Sequence, residues 1–229
     1  MTVGVNNGSG TFAGSITDSG RLRIDKVGTG TWTLTGSGAI GGYLAVDDGK
    51  LAISGNGSLG VARGGIVYTG LELSGNALLQ VTGANFGLSG SSAAAPASVT
   101  ISGNAHLDVG PSLDVSDATI TQSGGRVSAD SVYLAKGDFS RTTYNLGGGT
   151  LAPVNLYVGY GGNAIVNQTG GSIVADQYSL GYFSLDTVNA GVVNQSAGSV
   201  GINDGRTFYV GYYGNATYYL GGTGTITSP

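Results

Sequence analysis

The sequence contains no cysteine, four prolines and one histidine among 229 residues. The absence of cysteine excludes disulfide bonds, thiolate metal sites and a cysteine nucleophile. The scarcity of proline excludes a collagen or a proline-rich linker. No run approaches the ~18 consecutive apolar residues of a membrane-spanning helix. The first ten residues also show neither the basic nor the apolar region of a signal peptide.

Charged residues are scarce as well. Nine basic and 13 acidic side chains leave a net charge of −4. We therefore expect neither nucleic acid nor an anionic membrane surface as a partner.

Glycine is the abundant residue, with 45 copies, and 40% of residues are hydrophobic. The apolar residues alternate with Ser, Thr, Asn and Gly, which is typical of half-buried strands joined by tight turns. Thirteen tyrosines and many Val, Ile and Thr also suit strands. The composition predicts an all-β protein.

A nine-residue phrase recurs through the second half of the chain. It reads TITQSGGRV, TYNLGGGTL, IVNQTGGSI, VVNQSAGSV and TYYLGGTGT, starting at residues 119, 143, 165, 192 and 217. The steps of 24, 22, 27 and 25 residues are typical of a solenoid, whose repeats bury their apolar faces by stacking. We predict a right-handed parallel β-helix of about nine coils of 20–28 residues, roughly 40–45 Å long.

The repeats also predict which side chains share a row. Alternation along each strand places one set of side chains in the core: Val132, Leu134, Leu156, Val158, Leu180, Phe208 and Val210, with a second inward row of Ile120, Tyr144, Val166, Val193 and Tyr218. An outward column should contain Tyr133, Tyr157, Ser179 and Tyr209, and an inner column Tyr160, Tyr182 and Tyr212. Asn145, Asn167 and Asn194 should form a hydrogen-bonded ladder, and Gly159, Gly181 and Gly211 should turn a corner.

The first half of the chain repeats differently. An S-G-N-x-x-L frame begins at Ser54, Ser74 and Ser102. We treat residues 1–229 as one domain, with less regular coils over 1–117 and regular coils over 118–229. The small, polar stretch 83–97 is predicted to be a loop that protrudes from the rod.

The segment 10–59 resembles the autotransporter-associated β-strand repeat of Gram-negative passenger domains. The family pattern is matched by Phe12, Gly14, Ile16, Lys26, Gly28, Gly30, Thr31, Leu34, Gly36, Gly49 and Leu51. The resemblance implies a β-helical passenger on the cell surface or secreted, exported through the outer membrane by a C-terminal barrel. This chain would then be part of a longer polypeptide.

From the resemblance and the repeats we expect a non-enzymatic stalk or adhesin that contacts a protein or glycan on host or neighbouring cells. Self-association through open coil ends is also expected. The alternative is a carbohydrate-active or carbohydrate-binding β-helix, similar to a polysaccharide lyase or a tailspike. No cofactor is expected.

Few residues suggest chemistry. The serine-hydrolase motifs G-D-S-G and G-x-S-x-G are absent, and the lone His106 is expected at an exposed or rim position. A carboxylate site for an ion or a sugar would draw on Asp47, Asp48, Asp108, Asp114 and Asp117. The aromatic column of Tyr133, Tyr157 and Tyr209 is the candidate binding surface, because exposed rings suit sugars and protein contacts.

Overall fold

The alternating apolar residues form short strands, and glycine-rich turns bend the chain between them. A computed structural model describes residues 1–18, 20–182 and 191–228, and only the backbone of residues 204 and 205. The described residues contain no helix, and therefore none that could cross a membrane. Every strand pairing among them is parallel. The fold is a parallel β-helix, as predicted.

Twenty-four strands build the described part of the β-helix. The first twelve are β1 (Thr2–Val3), β2 (Gly10–Phe12), β3 (Ile16–Thr17), β4 (Ile24–Lys26), β5 (Thr31–Leu34), β6 (Ser37–Ile40), β7 (Leu44–Val46), β8 (Lys50–Ile53), β9 (Ser58–Val61), β10 (Gly65–Val67), β11 (Gly70–Leu73) and β12 (Leu78–Val81). The others are β13 (Phe86–Ser89), β14 (Ala97–Ile101), β15 (His106–Val109), β16 (Ser112–Ser116), β17 (Ala118–Leu134), β18 (Arg141–Tyr160), β19 (Asn163–Gln168), β20 (Ser172–Tyr182), β21 (Gly191–Gln195), β22 (Ser199–Val210), β23 (Ala216–Leu220) and β24 (Thr225–Thr227).

Three strand segments make one turn, so the rod has three faces. Face A begins with β1, face B with β2 and face C with β3, and each pairs with the strand three elements later. Four strands of the second half, β17, β18, β20 and β22, are long enough to run around a corner and serve more than one face. Each face contains ten segments, which makes about ten turns rather than the predicted nine. The difference arises in the first half, where Leu44, Gly65 and Phe86 align at intervals of only 21 residues.

The predicted register of the repeats is confirmed. Thr119, Thr143, Ile165, Val192 and Thr217 are aligned in consecutive turns of face B. Because each turn lies ~4.8 Å above the last, ten turns give a rod of about 43 Å.

The core lies inside the three faces, and most predicted inward positions are confirmed. The fully buried members are Val132, Leu134, Leu156, Val158, Leu180, Ile120, Tyr144, Val166 and Val193, each at most 1% exposed. Phe208 and Tyr218 are partly buried against the core. The prediction for Val210 is wrong: it is 48% exposed. It pairs with Leu180 in the preceding turn, and no other described strand lies on its far side.

A row of buried glutamines, which the sequence analysis did not predict, holds the corners between faces B and C. Each Nε2 donates to the carbonyl of a glycine three residues later and to a carbonyl one turn further on. The row consists of Gln122, Gln168 and Gln195. Tyr218 Oη donates to Gln195 Oε1 at 2.5 Å. Gln168 Oε1 has no partner among the described residues. Val193 occupies the position from which a tyrosine, one turn later, donates to each of the other two glutamines.

Side-chain amides form ladders along the rod. Asn167 Nδ2 donates to Asn145 Oδ1 and Asn194 Nδ2 donates to Asn167 Oδ1, each at 2.9 Å, which confirms the predicted ladder. A second ladder links Asn56, Asn76 and Asn104 at 3.0 and 3.2 Å. The ladder bonds connect turns and so favour the parallel register.

Lys26 contacts backbone carbonyls at the corners of two successive turns. Its side chain is fully buried, and Nζ donates to the carbonyls of Val27, Gly28 and Asp48 at 2.6–3.0 Å. Burial lowers the pKa of Lys26, and the charge of Asp48 partly opposes that effect. The ammonium therefore ties the corners of two successive turns together.

The predicted loop over 83–97 is only partly a loop. Strand β13 lies inside that range and pairs with both neighbouring turns, with Phe86 and Leu88 fully buried. The protruding part is residues 90–96, where Ala95 N donates to Ser92 O at 3.0 Å. The short strand was missed because only two apolar side chains mark it among small residues.

Candidate functional site

The candidate binding tyrosines belong to a larger aromatic patch. The tyrosine patch contains Tyr133, Tyr157, Tyr160, Tyr182, Tyr209, Tyr212 and Tyr213, whose rings contact one another. It covers the last four turns of face A and the corner towards face B. Gly159, Gly181 and Gly211 turn that corner with φ of 80°, 66° and 77°, as predicted.

Two columns of rings interlock in this patch. Tyr133 stacks on Tyr157 with centroids 4.9 Å apart, and Tyr160, Tyr182 and Tyr212 stack at 5.2–5.3 Å. Between the columns the rings meet edge to face, as between Tyr157 and Tyr182 at 4.9 Å. Such pairs contribute about 0.5–1.5 kcal/mol each beyond area burial. The patch therefore stiffens the corner along four turns.

Two details of the predicted columns are wrong. Tyr160, Tyr182 and Tyr212 are half-buried on the outer surface, not in an inner column, because the glycine before each one turns the chain outward. Ser179 holds the expected column position but is fully buried. Its small side chain lies between two aligned tyrosines, and its Oγ accepts a 3.1 Å hydrogen bond from Gln177.

The stacking limits what the patch can bind. Tyr182 has a parallel ring on each side, and Tyr133 has Tyr157 on one face and the Lys136 ammonium 4.8 Å from its centroid on the other. Sugar stacking needs a free ring face. These two rings instead present edges and hydroxyls. The geometry favours a structural role, and the binding role of Tyr133, Tyr157 and Tyr209 stays a prediction.

Two tyrosines in the middle of the patch have raised pKa values. Burial, followed by the neighbouring tyrosines, raises the pKa of Tyr157, and burial is also the main cause of the raised pKa of Tyr182. The phenols of Tyr157 and Tyr182 therefore stay protonated at neutral pH and offer hydrogen-bond donors.

An ion pair borders the patch. Lys136 Nζ lies 2.6 Å from Asp114 Oδ2, which also accepts a 3.2 Å bond from Asn85. Because Lys136 also covers Tyr133, the lysine joins the charged pair to the aromatic column. Asp114 is thus committed to a local contact.

The other candidate carboxylates are dispersed. Asp108 accepts a hydrogen bond from Ser128 on face C, whereas Asp114 lies on face A. Asp117, at the corner between faces A and B, accepts one from the backbone N–H of Arg141 at 2.9 Å. Asp48 accepts from its neighbour Gly49, and Asp47 is exposed beside it. The three aspartates of 108–117 therefore do not converge.

Metal-binding groups are also lacking among the described residues, which contain no cluster of three or more His, Cys, Asp or Glu side chains suited to an ion. His106 is exposed on face C, where it aligns with Leu78 and Arg126, as expected for a surface position.

A groove on face B was missed by the sequence analysis. It has a volume of about 540 Å³ and lies between residues 90–96 and the outer surface of face B. Its lining residues are Ala93, Pro96, Ala118, Thr119, Arg141, Thr142, Thr143, Asn163, Ile165 and Val192. The sequence held one signal for this groove. The aligned starts of the repeats already placed Thr119, Thr143, Ile165 and Val192 in one row.

Comparison of the chain with protein-family models, curated proteins and solved structures gave no match. The fold and the two surfaces described above therefore carry the functional argument.

Proposed function

We propose that this chain is a non-enzymatic stalk segment of an exported bacterial surface polypeptide, which holds contact surfaces away from the cell. The observation that carries the proposal is the parallel pairing of all three faces through about ten turns. A rod of this kind needs no separate domain to cover its apolar residues, because each turn buries its apolar face against the next.

The contacts at the corners support the proposed role as a stalk, because they stabilise the rod along its axis. Glutamine bonds, asparagine ladders and the tyrosine patch all run along the axis and connect one turn with the next. Segments with dense axial hydrogen bonding resist local opening, and so resist proteolysis. These properties suit a molecule exposed to an unprotected extracellular environment.

The export part of the proposal is tested in the cells that make the protein. The coding sequence downstream of residue 229 should specify an antiparallel outer-membrane barrel. An antibody against the chain should label intact cells, and proteinase K added outside should remove the label while a periplasmic marker survives. A protected chain, or a gene without a barrel, would overturn this assignment.

The contact part is tested with the purified rod. Beads coated with the chain should adhere to host or neighbouring bacterial cells more than beads coated with heat-unfolded chain. Equal adhesion would remove the adhesin proposal. Cleavage of a polysaccharide by the chain, lost in Asp114→Asn, would replace it with the enzymatic alternative.

A further inference from the structure

We propose that the groove on face B is a binding site for saccharides that carry a carboxylate. This inference deepens the proposed function, on which it rests, by naming a site and a ligand class. The groove is formed where the segment 90–96 overhangs the flat outer surface of the following turns. None of its described lining residues belongs to the tyrosine patch.

The floor of the groove is a regular row. Thr119, Thr143, Ile165 and Val192 come from four consecutive turns in direct register. Three intervals of ~4.8 Å make the row about 14 Å long, which suits a short oligosaccharide better than a single ring. Ile165 is 41% exposed, although it is a large apolar residue on a surface strand.

The chemistry of the floor is mixed in a way that matches a sugar. The hydroxyls of Thr119 and Thr143 make no hydrogen bond to another described residue. The methyl groups of Ile165 and Val192 follow them along the row. A pyranose ring presents hydroxyls at its rim and C–H groups on its face, so both kinds of lining find a counterpart.

The charge of the groove favours a ligand that carries a carboxylate. Among the described residues that line the groove, Arg141 is the one ionised side chain. Among the described residues no carboxylate oxygen lies within 4.0 Å of its guanidinium. Asp117 accepts the backbone N–H of Arg141 instead and so holds this residue at the groove. A guanidinium recognises a carboxylate through two parallel hydrogen bonds, which gives both affinity and orientation.

A peptide is the less suitable occupant. The strands of the groove floor are already paired with the turns above and below, so they offer no open edge for a peptide to extend the sheet. The described lining residues include no aromatic side chain, so they offer a neutral sugar no ring to stack on. Recognition must therefore depend on Arg141 and the threonine hydroxyls.

The test is a titration of the purified chain with tri-galacturonate, followed by amide NMR and calorimetry. We expect the amide signals of Thr119, Thr143, Ile165 and Val192 to shift saturably. Arg141→Gln should weaken binding by roughly tenfold or more, because a charge-assisted bidentate contact is lost. Arg141→Lys, which keeps the charge without the fork, should weaken it less.

The matched control is Arg126→Gln, which removes an exposed arginine from face C. It should leave the affinity unchanged, and circular dichroism should show all variants folded. Equal losses for both arginines, shifts confined to other faces, or no saturable binding at millimolar ligand would overturn the site. Equally tight binding of neutral tri-galactose or of an acidic hexapeptide would overturn the ligand class. None of these outcomes changes the export test, so the two proposals fail separately.

Discussion

The hydroxyl of Tyr144 donates a 2.6 Å hydrogen bond to Gln122 Oε1, one turn earlier, and both side chains are completely buried. Gln122 uses its Nε2 for two backbone carbonyls at the same time. The side-chain amide of Gln122 therefore connects a carbonyl of its own turn, a carbonyl of the next turn and the buried hydroxyl of Tyr144.

Tyr144→Phe should lower the free energy of unfolding by about 1–3 kcal/mol, because Gln122 Oε1 is left buried without a donor. Urea denaturation at neutral pH measures the change. Tyr68→Phe is the control, since Tyr68 is 40% exposed and makes no hydrogen bond to another described residue. A loss equal to that of the control would contradict the role of this bond.

Alkaline pH should unfold the rod. Burial raises the pKa of Tyr144 and of Tyr178 far above the ordinary value, and raises the pKa of Tyr218 to about 12. In the unfolded chain these phenols ionise near pH 10, so their contribution is complete below about pH 10 and is lost as the pH rises further. Each fully buried tyrosine should steepen the decline by about 1.4 kcal/mol per pH unit.

The measurement is urea denaturation at several pH values between about 8 and 11. Tyr144→Phe should show a shallower decline than the wild type above pH ~10. Identical slopes would mean that Tyr144 ionises with an ordinary pKa in the folded rod.

Lys26→Met should destabilise the N-terminal turns by about 1–3 kcal/mol, because three corner carbonyls lose their donor. Lys50→Met is the matched control: its Nζ lies 2.7 Å from Glu72, but both side chains are about two-fifths exposed, and such surface pairs contribute at most about 1 kcal/mol. Thermal unfolding of both variants makes the comparison. Equal shifts would show that the corner lysine adds no more than a surface ion pair.

Gly125→Ala should be far more damaging than Gly147→Ala, although both glycines belong to the recurring phrase. Gly125 has φ of +67°, and an added Cβ would lie 2.0 Å from the carbonyl oxygen of Ala105. The left-handed conformation alone costs about 1–2 kcal/mol for alanine. At Gly147 the nearest atom is 3.7 Å away. Soluble yield and the melting temperature should fall sharply for the first variant only; comparable behaviour of the two would refute the assigned turn geometry.

Tyr157→Ala should lower stability by about 1–3 kcal/mol, since it opens the middle of the tyrosine patch. Tyr157→Phe should stay within about 0.5 kcal/mol of the wild type, because the ring contacts remain. Tyr219→Ala, at a residue that is 62% exposed and outside the patch, serves as the control. If alanine at 157 is as harmless as at 219, the patch is not structural and a binding role becomes the better explanation.

Much of the fold follows from the spacing of repeated phrases. The recurring nine-residue segments specified the register of Thr143 with Ile165 and the asparagine ladder, because parallel stacking brings equivalent residues together. Strand alternation gave the buried rows around Val158. The number of turns was underestimated because the regular second half was used to set the length of the less regular first half.

The missed features depend on what surrounds a residue rather than on its own strand. Alternation places Ser179 outward, but the neighbouring rings cover it. It places Val210 inward, yet no described turn lies beyond it. The groove depends on a segment from one turn that overhangs residues of later turns, and sequence periodicity carries no signal for that overhang. Gln122 and its equivalents were detectable, because they occupy the same inward position in three phrases.

The segment 90–96 leaves the rod after β13 and returns at β14, and both strands keep their pairing with the turns on either side. The strand pairing of the rod therefore does not depend on this segment, whereas the shape of the groove does. Under the proposed binding role, exchanging residues 90–96 for peptides of other lengths or compositions would alter the ligand, while the pairing of β13 and β14 stays in place.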